Sequence, residues 1–329
     1  MNKKINILVT GGYGFIGSNF IRYMLKHYLN VYITNVDNMT YAGNYTNLHD
    51  VWEGYRDRYN HYNTNISHDE RINRVFQENS FDYVVNFAAE THVDRSIYTP
   101  QIFVTTNVLG TSNLLECAKN HKVKRFLQIS TDEVYGSLGD IGAFTETSPL
   151  QPSSPYSASK TSADLIALSY HKTYDMDVVV TRCSNNYGAY QYPEKLIPLM
   201  ILLAKNDKSL PIYGTGNNVR DWIHVDDHCS AVAAVLFDGE AGEVYNIGSN
   251  NEKPNIEIVE TILNHLGKPM SLITFVEDRK GHDWRYAIDS SKIRDTIGWK
   301  PSHTFESGIK NTIDWYLNNE HWWKPLIKF

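Results

Sequence analysis

A tyrosine and a lysine four residues apart, Tyr156 and Lys160, form the pair in this sequence that is best suited to chemistry. At this spacing both side chains project from one face of a helix, so the ammonium can stabilise a phenolate. Lowering the pKa of a phenol from about 10 towards 7 needs roughly 4 kcal/mol, which a lysine and a second nearby positive charge can supply. Tyr156 is therefore a candidate base for an alcohol or sugar hydroxyl. Such pairs are commonplace on surfaces, so their position in the fold must carry the argument.

Glycines recur at a G-x-x-G-x-x-G spacing in Thr10–Gly17, directly after a predicted strand at Ile5–Val9. In a strand-to-helix turn the first glycine permits the bend, the second admits a pyrophosphate and the third lets the helix pack on the sheet. Asp37 ends the next predicted strand, where a carboxylate accepts hydrogen bonds from an adenosine ribose and repels a 2′-phosphate. The pattern predicts NAD rather than NADP. The alternative is that the glycines serve only the turn.

Two adjacent acids, Asp132 and Glu133, follow the predicted strand Arg125–Ile129. The carboxyl ends of parallel strands are where this architecture binds its ligands. One acid would suffice to cap the next turn, so a second acid beside a hydride-transfer centre indicates proton transfer beyond simple alcohol oxidation. The alternative is a solvated loop.

The first half of the chain alternates short β-rich runs with longer helical patterns, which is typical of a parallel sheet covered on both faces. We expect strands at Ile5–Val9, Val31–Val36, Tyr83–Phe87, Arg125–Ile129 and Val178–Thr181. We expect helices at Phe15–His27, Asp69–Glu78, Pro100–Lys119 and Pro155–Tyr174, with Ser154 capping the last. The predicted fold class is α/β, a Rossmann-type doubly wound parallel sheet with a smaller, mainly C-terminal substrate-binding domain.

The regular alternation ends near Arg182, and this change predicts the domain organisation. We expect residues 1–182 to form the NAD-binding Rossmann domain, and 219–247 to return to it through a helix at Asp226–Phe237 and a strand at Val244–Ile247. Residues 183–218 and 248–329 are expected to bind the substrate.

The bulk composition excludes several classes of function. A net charge of -6 over 329 residues offers no basic field for nucleic acid, so phosphate groups must be met by local side chains. No run approaches the roughly 18 apolar residues of a membrane span. Three widely spaced cysteines, Cys117, Cys183 and Cys229, suit a reducing compartment, and we expect a cytoplasmic protein. His224 and His228 beside Asp226 and Asp227 have a metal-compatible spacing, but no third ligand is indicated, and we expect no metal.

Further motifs accompany the glycine turn and the acids. They are Asp37–Asn44, Ala88–Ser96, Ser130–Gly136, Tyr156–Lys160, Asn185–Gly188, Pro193–Pro198 and Arg220–Trp222. With them the chain resembles, over nearly its whole length, the extended short-chain dehydrogenase/reductase family, and within it the dTDP-glucose 4,6-dehydratases. The triplet Thr131–Glu133 is the most specific motif, since related sugar epimerases generally lack the two acids.

The resemblance implies conversion of dTDP-glucose to dTDP-4-keto-6-deoxyglucose and water, in the synthesis of dTDP-rhamnose or a related deoxysugar. Tyr156 would deprotonate the sugar O4 while the C4 hydride moves to NAD, with Lys160 and Thr131 holding the phenolate and the hydroxyl. Glu133 would then take the C5 proton, and protonated Asp132 would give a proton to the departing O6 before the hydride returns to C6. Neighbouring carboxyls can hold opposite protonation states because their repulsion separates their pKa values.

The glycine pattern and the resemblance together define the expected ligand contacts. The expected NAD-binding residues are Gly11, Gly12, Gly14, Phe15, Ile16, Gly17, Asp37, Asn38, Met39, Thr40, Asn65, Ile66, Ala88, Ala89, Glu90, His92, Thr106, Tyr156, Lys160 and Asn186. The expected nucleotide-sugar residues are His92, Thr131, Asn185, Lys195, Leu196, Pro211, Ile212, Tyr213, Arg220, Asn255, Asp278, Arg279, Lys280, Gly281 and His282. Lys195 and Arg220 suit a diphosphate.

Two positions depart from the family pattern. Asn65 stands where the family usually has an aspartate next to the adenine, and Ala189 stands where it usually has a proline. The resemblance also implies a homodimer formed through the helices near Pro100–Lys119 and Pro155–Tyr174. The alternatives to the predicted activity are another nucleotide-sugar dehydratase, a 4-epimerase of the same fold, and a protein that senses NAD without catalysis.

Overall fold

The computed structural model describes residues 3–278 and 281–327. The described strands are β1 Ile5–Thr10, β2 Val31–Asp37, β3 Tyr59–Asn63, β4 Tyr83–Asn86, β5 Arg125–Thr131, β6 Val178–Cys183, β7 Asn185–Tyr187, β8 Leu210–Tyr213, β9 Val219–His224, β10 Val244–Ile247, β11 Glu252–Pro254 and β12 Ile273–Val276. The described helices are α1 Phe15–His27, α2 His49–Gly54, α3 Asp69–Glu78, α4 Val93–Tyr98, α5 Pro100–Phe103, α6 Gly110–Asn120, α7 Pro155–Tyr174, α8 Leu196–Lys205, α9 Val225–Asp238, α10 Asn255–Leu266, α11 Ser291–Ile297, α12 Phe305–Asn318 and α13 Glu320–Trp323.

Seven of the described strands form one parallel sheet in the order β10-β6-β5-β4-β1-β2-β3. Helices lie against both faces, and the buried side chains of the strands divide between two apolar clusters. The strand order reverses between β1 and β4, and in open α/β sheets this reversal opens a crevice at the carboxyl ends of the strands. The predicted α/β Rossmann-type fold is confirmed.

The predicted helices Phe15–His27, Asp69–Glu78 and Pro155–Tyr174 have the observed bounds. The helix predicted at Pro100–Lys119 is one continuous helical run, in which a π-helical turn at Val104–Leu109 joins α5 to α6.

Sequence reasoning missed the strand β3. Its residues, Tyr-Asn-His-Tyr-Asn, are too polar to suggest a buried strand, and β3 lies at the sheet edge, where it pairs only with β2. An edge strand buries less of its surface than a central strand, so its apolar signal is weaker.

The segment 219–247 divides between two sheets. Helix α9 packs against α1 and β6, and β10 pairs with β6 at the edge of the main sheet. Strand β9 instead joins β7 and β11 in a three-stranded sheet, and β8 pairs with β12. A separate apolar cluster gathers α8, α10 and α12 beside these smaller sheets. The assignment of domains to functions stays a prediction.

The segment after α12 packs into the body of the protein. Trp322 and Trp323 are both buried. Trp322 Nε1 donates to Asn47 Oδ1 over 2.7 Å, and the Asn47 side-chain amide donates to Tyr13 O in the glycine turn over 2.8 Å. In the described part of the chain, no helix is long and apolar enough to cross a membrane.

Candidate active site

A cavity of about 380 Å³ opens at the carboxyl edge of the main sheet, where the strand order reverses. One end is lined by the glycine turn after β1 and by the residues that follow β2 and β3. The other end is lined by the residues after β5 and by the first turns of α7. The two groups of residues singled out in the sequence therefore share one cavity.

The glycine turn is shaped to admit an anion. A Cβ at Gly11 would lie 2.7 Å from Ala88 N, and a Cβ at Gly17 would lie 2.3 Å from Gly11 O, so neither position admits a side chain. Helix α1 begins after Gly14 without a side-chain cap, which leaves the N–H groups of its first turn for a ligand. This cradle fits the pyrophosphate of a dinucleotide.

Asp37 stands beside that cradle, at the end of β2. One carboxylate oxygen accepts from Met39 N at 2.8 Å, and the other accepts from Tyr13 N at 2.9 Å. Burial raises the pKa of Asp37, and these two N–H groups act in the opposite direction. The two bonds hold the carboxylate at the cavity, in the position expected for binding a ribose.

The acids follow β5 in a short 3₁₀ turn, Asp132–Tyr135, that Thr131 caps. Glu133 N donates to Thr131 Oγ1 at 3.3 Å, and Thr131 Oγ1 donates to Asp132 Oδ1 at 3.2 Å. All three residues line the cavity. The strand and its capped turn therefore position two carboxyls and a hydroxyl together.

Asp132 has the surroundings of a protonated acid. Its side chain is buried, and Oδ2 has no hydrogen-bond partner within the described part of the chain. Burial raises the pKa of Asp132 well above its usual value, and the neighbouring charge of Glu133 raises it further. A carboxyl that keeps its proton at neutral pH can act as a general acid.

Tyr156 and Lys160 line the same cavity from the first turns of α7. Lys160 Nζ donates to Ile129 O at 2.6 Å, which ties the helix to β5. Burial lowers the pKa of Lys160, while Asp164 raises it. The pKa of Tyr156 differs from the sequence expectation, because burial and then Glu133 raise it well above the usual value. The hydrogen bond with Thr131 lowers this pKa, but burial outweighs it, so the expected depression would depend on the charge of a bound nicotinamide.

A buried ion pair supports this helix from behind. Arg182 Nε on β6 donates to Asp164 Oδ2 at 3.0 Å, and both side chains are almost fully buried. Arg182 also donates to Tyr135 Oη at 3.0 Å. Asp164 lies one helical turn beyond Lys160, so the pair fixes the helix that carries the Tyr156/Lys160 motif. Sequence reasoning missed the ion pair between Arg182 and Asp164. The role of Asp164 had one local signal, since Lys160 and Asp164 have the i, i+4 spacing of an interacting pair.

Most of the predicted residues line this single cavity. They are Gly11, Gly14, Phe15, Ile16, Gly17, Asp37, Asn38, Thr40, Asn65, Ile66, Ala88, Ala89, Glu90, Thr106, Thr131, Asp132, Glu133, Tyr156, Lys160, Asn185, Asn186 and Lys195. Three predicted NAD residues, Gly12, Met39 and His92, do not line it. Gly12 N donates to Asn35 Oδ1 at 3.0 Å inside the protein, and Met39 contributes its backbone to Asp37.

A polar network borders the cavity and includes Glu194 and Lys195 from its lining. Tyr41 Oη donates to Glu194 Oε1 at 2.8 Å, and His92 Nε2 lies 3.5 Å from the other oxygen of Glu194. The guanidinium of Arg95 lies over the ring of Tyr41, 4.2 Å from its centroid. Lys195 Nζ donates to Thr91 O at 3.3 Å. Sequence reasoning missed Tyr41 and Glu194, although both lie inside quoted motifs.

Arg220 lies on β9, outside the cavity lining. Its guanidinium donates to Asp283 O at 2.9 Å and covers the ring of Tyr286, 4.2 Å from the centroid. The positive charge of Arg220 lowers the pKa of Asp132. The carboxylate of Asp283 accepts from Ser153 Oγ and from Tyr286 Oη. Arg220 is thus held close to the acids by the segment around Asp283.

The remaining predicted sugar-nucleotide residues that the structure describes are not part of the cavity lining. His282 Nδ1 is 2.6 Å from Asp278 Oδ1, and the ring of Tyr213 contacts His282 edge-on. Pro211 is exposed, and Ile212 is buried in the apolar cluster. Leu196, Asn255 and Gly281 complete this set, and Arg279 and Lys280 lie outside the described residues. The roles of all these residues stay predictions.

The histidines considered as metal ligands separate in the structure. His228 is buried, and its Nδ1 lies 2.8 Å from Asn186 Oδ1. His224 instead joins Asp226 and His303, which offer one ligand atom each within 4.8 Å of one another. His303 comes from a distant part of the chain, so no local spacing could have indicated it. The expectation of no metal stays a prediction.

Comparison with known proteins agrees with this arrangement. Residues 8–312 match the model of the family described as GDP-mannose 4,6 dehydratase. A probable dTDP-glucose 4,6-dehydratase of Sinorhizobium fredii is 49% identical over 338 residues, covering 98% of this chain and 95% of the relative. A dTDP-glucose 4,6-dehydratase of Neisseria meningitidis is 48% identical over 342 residues, covering 98% and 96%.

Solved structures show the same likeness. A dTDP-glucose 4,6-dehydratase of Streptomyces venezuelae with NAD bound superposes with a TM-score of 0.94 at 47% identity, covering 98% of this chain and 100% of the other. The dTDP-glucose 4,6-dehydratase of Bacillus anthracis in complex with NAD superposes with a TM-score of 0.92 at 53% identity, with the same coverage of the two chains. A UDP-glucose 4-epimerase of Thermotoga maritima superposes with a TM-score of 0.89 at 28% identity, covering 95% of this chain and 99% of the other.

Proposed function

This chain belongs to the GDP-mannose 4,6 dehydratase family, and from that membership we propose that it is an NAD-dependent hydro-lyase acting on dTDP-glucose. The products are dTDP-4-keto-6-deoxyglucose and water. The relatives that are 48% and 49% identical over nearly the whole chain carry the name of this activity. The resemblance at Thr131–Glu133 points to the same reaction.

One observation carries the proposal: two adjacent carboxyls with different surroundings line the cavity that also holds Tyr156 and Lys160. Asp132 is buried, with its pKa raised. Glu133 follows it in the turn capped by Thr131. A dehydrogenase or a 4-epimerase needs one base at the sugar O4, whereas an elimination needs a further base and a further acid. This site has groups for all three tasks.

The first step is oxidation of the sugar at C4. Tyr156 takes the proton of the O4 hydroxyl, with Lys160 stabilising the phenolate and Thr131 orienting the hydroxyl. Bound NAD would accept the C4 hydride and later return it to C6. The glycine turn and Asp37 would hold the cofactor in the cavity that Tyr156 also lines.

The second step is loss of water across C5 and C6. The 4-keto group acidifies the C5 proton, which Glu133 removes. Asp132 delivers its own proton to the C6 hydroxyl, the C6–O6 bond breaks, and water leaves. Return of the hydride to C6 and of a proton to C5 completes a redox-neutral reaction. Asp132 must be protonated at the start, and its burial beside Glu133 supplies that condition.

The test is incubation of the purified full-length chain with dTDP-glucose alone. We expect a 4-keto-6-deoxy product, detected by its absorbance in alkali, without added NAD beyond that bound by the protein. Formation of dTDP-galactose would assign a 4-epimerase instead. NAD binding without turnover of any nucleotide sugar would assign a sensing protein.

The helices α4 to α7 support a homodimer. They expose several large apolar side chains: Ile97, Tyr98, Ile102, Val104, Leu109, Leu165 and Tyr174. Many exposed large apolar side chains on neighbouring helices are typical of an interaction site. We expect Leu165→Glu to convert a dimer into a monomer in light scattering after size exclusion. The matched control is Leu29→Glu, because Leu29 is exposed elsewhere, and it should leave the dimer intact. A monomeric unmodified protein would refute the dimer.

The domain assignment and location remain parts of this proposal. Residues 1–182 and much of 219–247 would bind NAD, and 183–218 with 248–329 would bind the nucleotide sugar. Three buried free cysteines suit a reducing cytoplasm. The product would serve dTDP-rhamnose or related deoxysugar synthesis.

A further inference from the structure

Asn65 lines the cavity, close in the fold to the carboxylate expected to hold the ribose of a dinucleotide. Asp37, the ribose-binding candidate, pairs in register with Asn63 on β3, and Asn65 comes two residues later. Both Asp37 and Asn65 line the cavity. A base attached to a ribose held at Asp37 extends past that carboxylate, and its outer edge carries N1 and the substituent at C6. Asn65 is therefore placed to meet this edge.

The orientation of the Asn65 amide is fixed by its neighbours. Its Oδ1 accepts from Ser67 N at 2.9 Å and from Ser67 Oγ at 2.9 Å. A backbone N–H is always a donor, so the atom that faces it must be the amide oxygen and cannot be exchanged for Nδ2. Both lone pairs of Oδ1 are then in use. Nδ2 donates to no residue in 3–278 or 281–327, so it remains for a ligand.

We propose that Asn65 presents a hydrogen-bond donor, through Nδ2, to the six-position of the cofactor's purine. Adenine carries an amino group there, which is itself a donor, whereas a 6-oxopurine carries an acceptor. Adenine therefore gains no hydrogen bond from Asn65, and the 6-oxopurine gains one. The inference rests on the proposed use of NAD, and it adds that this chain discriminates only weakly in favour of adenine over a 6-oxopurine.

An aspartate at the same position reverses this chemistry with little change of shape. One carboxylate oxygen keeps the two bonds from Ser67, and the other replaces Nδ2 with an acceptor. The acceptor suits the amino group of adenine and opposes the oxygen of a 6-oxopurine. Asn65→Asp is therefore a nearly isosteric exchange of donor for acceptor.

The experiment measures the binding of two dinucleotides to the full-length chain. Protein loaded with fluorescent NADH is titrated with NAD and, separately, with nicotinamide hypoxanthine dinucleotide, and loss of NADH fluorescence gives the two dissociation constants. The quantity of interest is the dissociation constant of nicotinamide hypoxanthine dinucleotide divided by that of NAD. We expect Asn65→Asp to raise this ratio by about tenfold, since one hydrogen bond is gained and one lost.

Two further variants control for indirect effects. Asn38→Asp adds the same charge at another residue lining the cavity, and it should weaken both dinucleotides while leaving the ratio unchanged. Asn65→Ala removes donor and acceptor together, and its ratio should fall between those of the Asn and Asp forms. Thermal unfolding of each variant shows that it is folded.

The outcomes separate this inference from the function on which it rests. A ratio that is unchanged or falls in Asn65→Asp, while NAD still binds, overturns the inference; a fall would mean that Nδ2 meets the purine N1. Failure of every dinucleotide to bind the unmodified chain overturns both the inference and the proposed NAD-dependent activity.

Discussion

At the scale of single residues, two acids that are adjacent in sequence have different electrostatic surroundings. Asp132 is buried, with one oxygen lacking a partner among the described residues. Its neighbour Glu133 adds a negative charge that favours the protonated form of Asp132. The fold thus prepares an acid beside a candidate base before any substrate enters. This difference makes the two roles separable by mutation.

Glu133→Gln should retain oxidation at C4 and lose the elimination. Because Gln cannot accept the C5 proton, we expect NADH to accumulate on the protein and turnover to fall by about a hundredfold or more. The measurement is absorbance at the NADH band, together with solvent deuterium incorporation at C5, which should vanish. Normal turnover with full deuterium incorporation would remove Glu133 as the base.

Asp132→Asn should change the pH dependence of stability. The raised pKa of Asp132 means that the folded state holds this proton more tightly than the unfolded chain. Its stabilising contribution is present below the unfolded value of about 4 and is lost as pH rises through the folded pKa. Asn does not titrate, so the variant should gain stability relative to the unmodified chain as the pH rises from 5 to 8.

Urea unfolding at the two pH values checks this expectation. The matched control is Asp57→Asn, the same change at an exposed residue. This variant should change the free energy of unfolding by the same amount at both pH values. An equal shift from Asp132→Asn would mean that Asp132 does not carry a raised pKa.

At the scale of elements, α7 decides where the reactive phenol stands. Ser154 accepts from Ser157 N at 3.1 Å, and Ser157 Oγ accepts from Ser154 N at 3.0 Å, so a full capping box precedes the helix. Pro155 occupies the first helical position, where no N–H is needed. Tyr156 is the next residue, so the cap orders the turn that carries it.

Ser154→Ala should lower the free energy of unfolding by about 1 kcal/mol, because the cap is lost. Ser154→Asp should recover most of that loss, since aspartate also caps well. Chemical denaturation of the three proteins measures the effect. Equal stability of the Ala and Asp variants would show that the side-chain cap contributes nothing.

At the scale of the whole molecule, helix α13 near the C-terminal end is joined to the glycine turn near the N-terminal end. The indole of Trp322 donates to Asn47, whose amide reaches the glycine turn at Tyr13. Trp322 also packs against Tyr316 and Trp315. The C-terminal region therefore adds to the stability of the turn expected to hold the pyrophosphate.

Trp322→Ala should lower the free energy of unfolding by about 3–5 kcal/mol, the usual cost of removing a buried tryptophan. It should also weaken the binding of NAD, because Asn47 loses the partner that positions it. Urea unfolding and NADH titration measure the two effects. Trp52→Ala is the control, because Trp52 is partly exposed, and it should cost much less. Unchanged stability in Trp322→Ala would refute the linkage.

Local patterns were sufficient for much of this protein. The glycine spacing, the Asp37 that follows it and the Tyr156/Lys160 pair are features of neighbouring residues, so their chemistry could be predicted from the sequence. The strongly apolar strands and the capped helices were predicted for the same reason, with bounds close to those observed. The polar edge strand β3 lacked such a signal.

Only the tertiary structure decided what depends on residues far apart in the chain. It brought Arg182 to Asp164, Glu194 to Tyr41 and Trp322 to Asn47. It also decided that the pKa values of Asp132 and Tyr156 are raised, because burial sets the cost of charge and burial depends on the packing of distant elements. The sequence by itself determined which groups were available for the reaction, and the fold determined how tightly each group holds its proton.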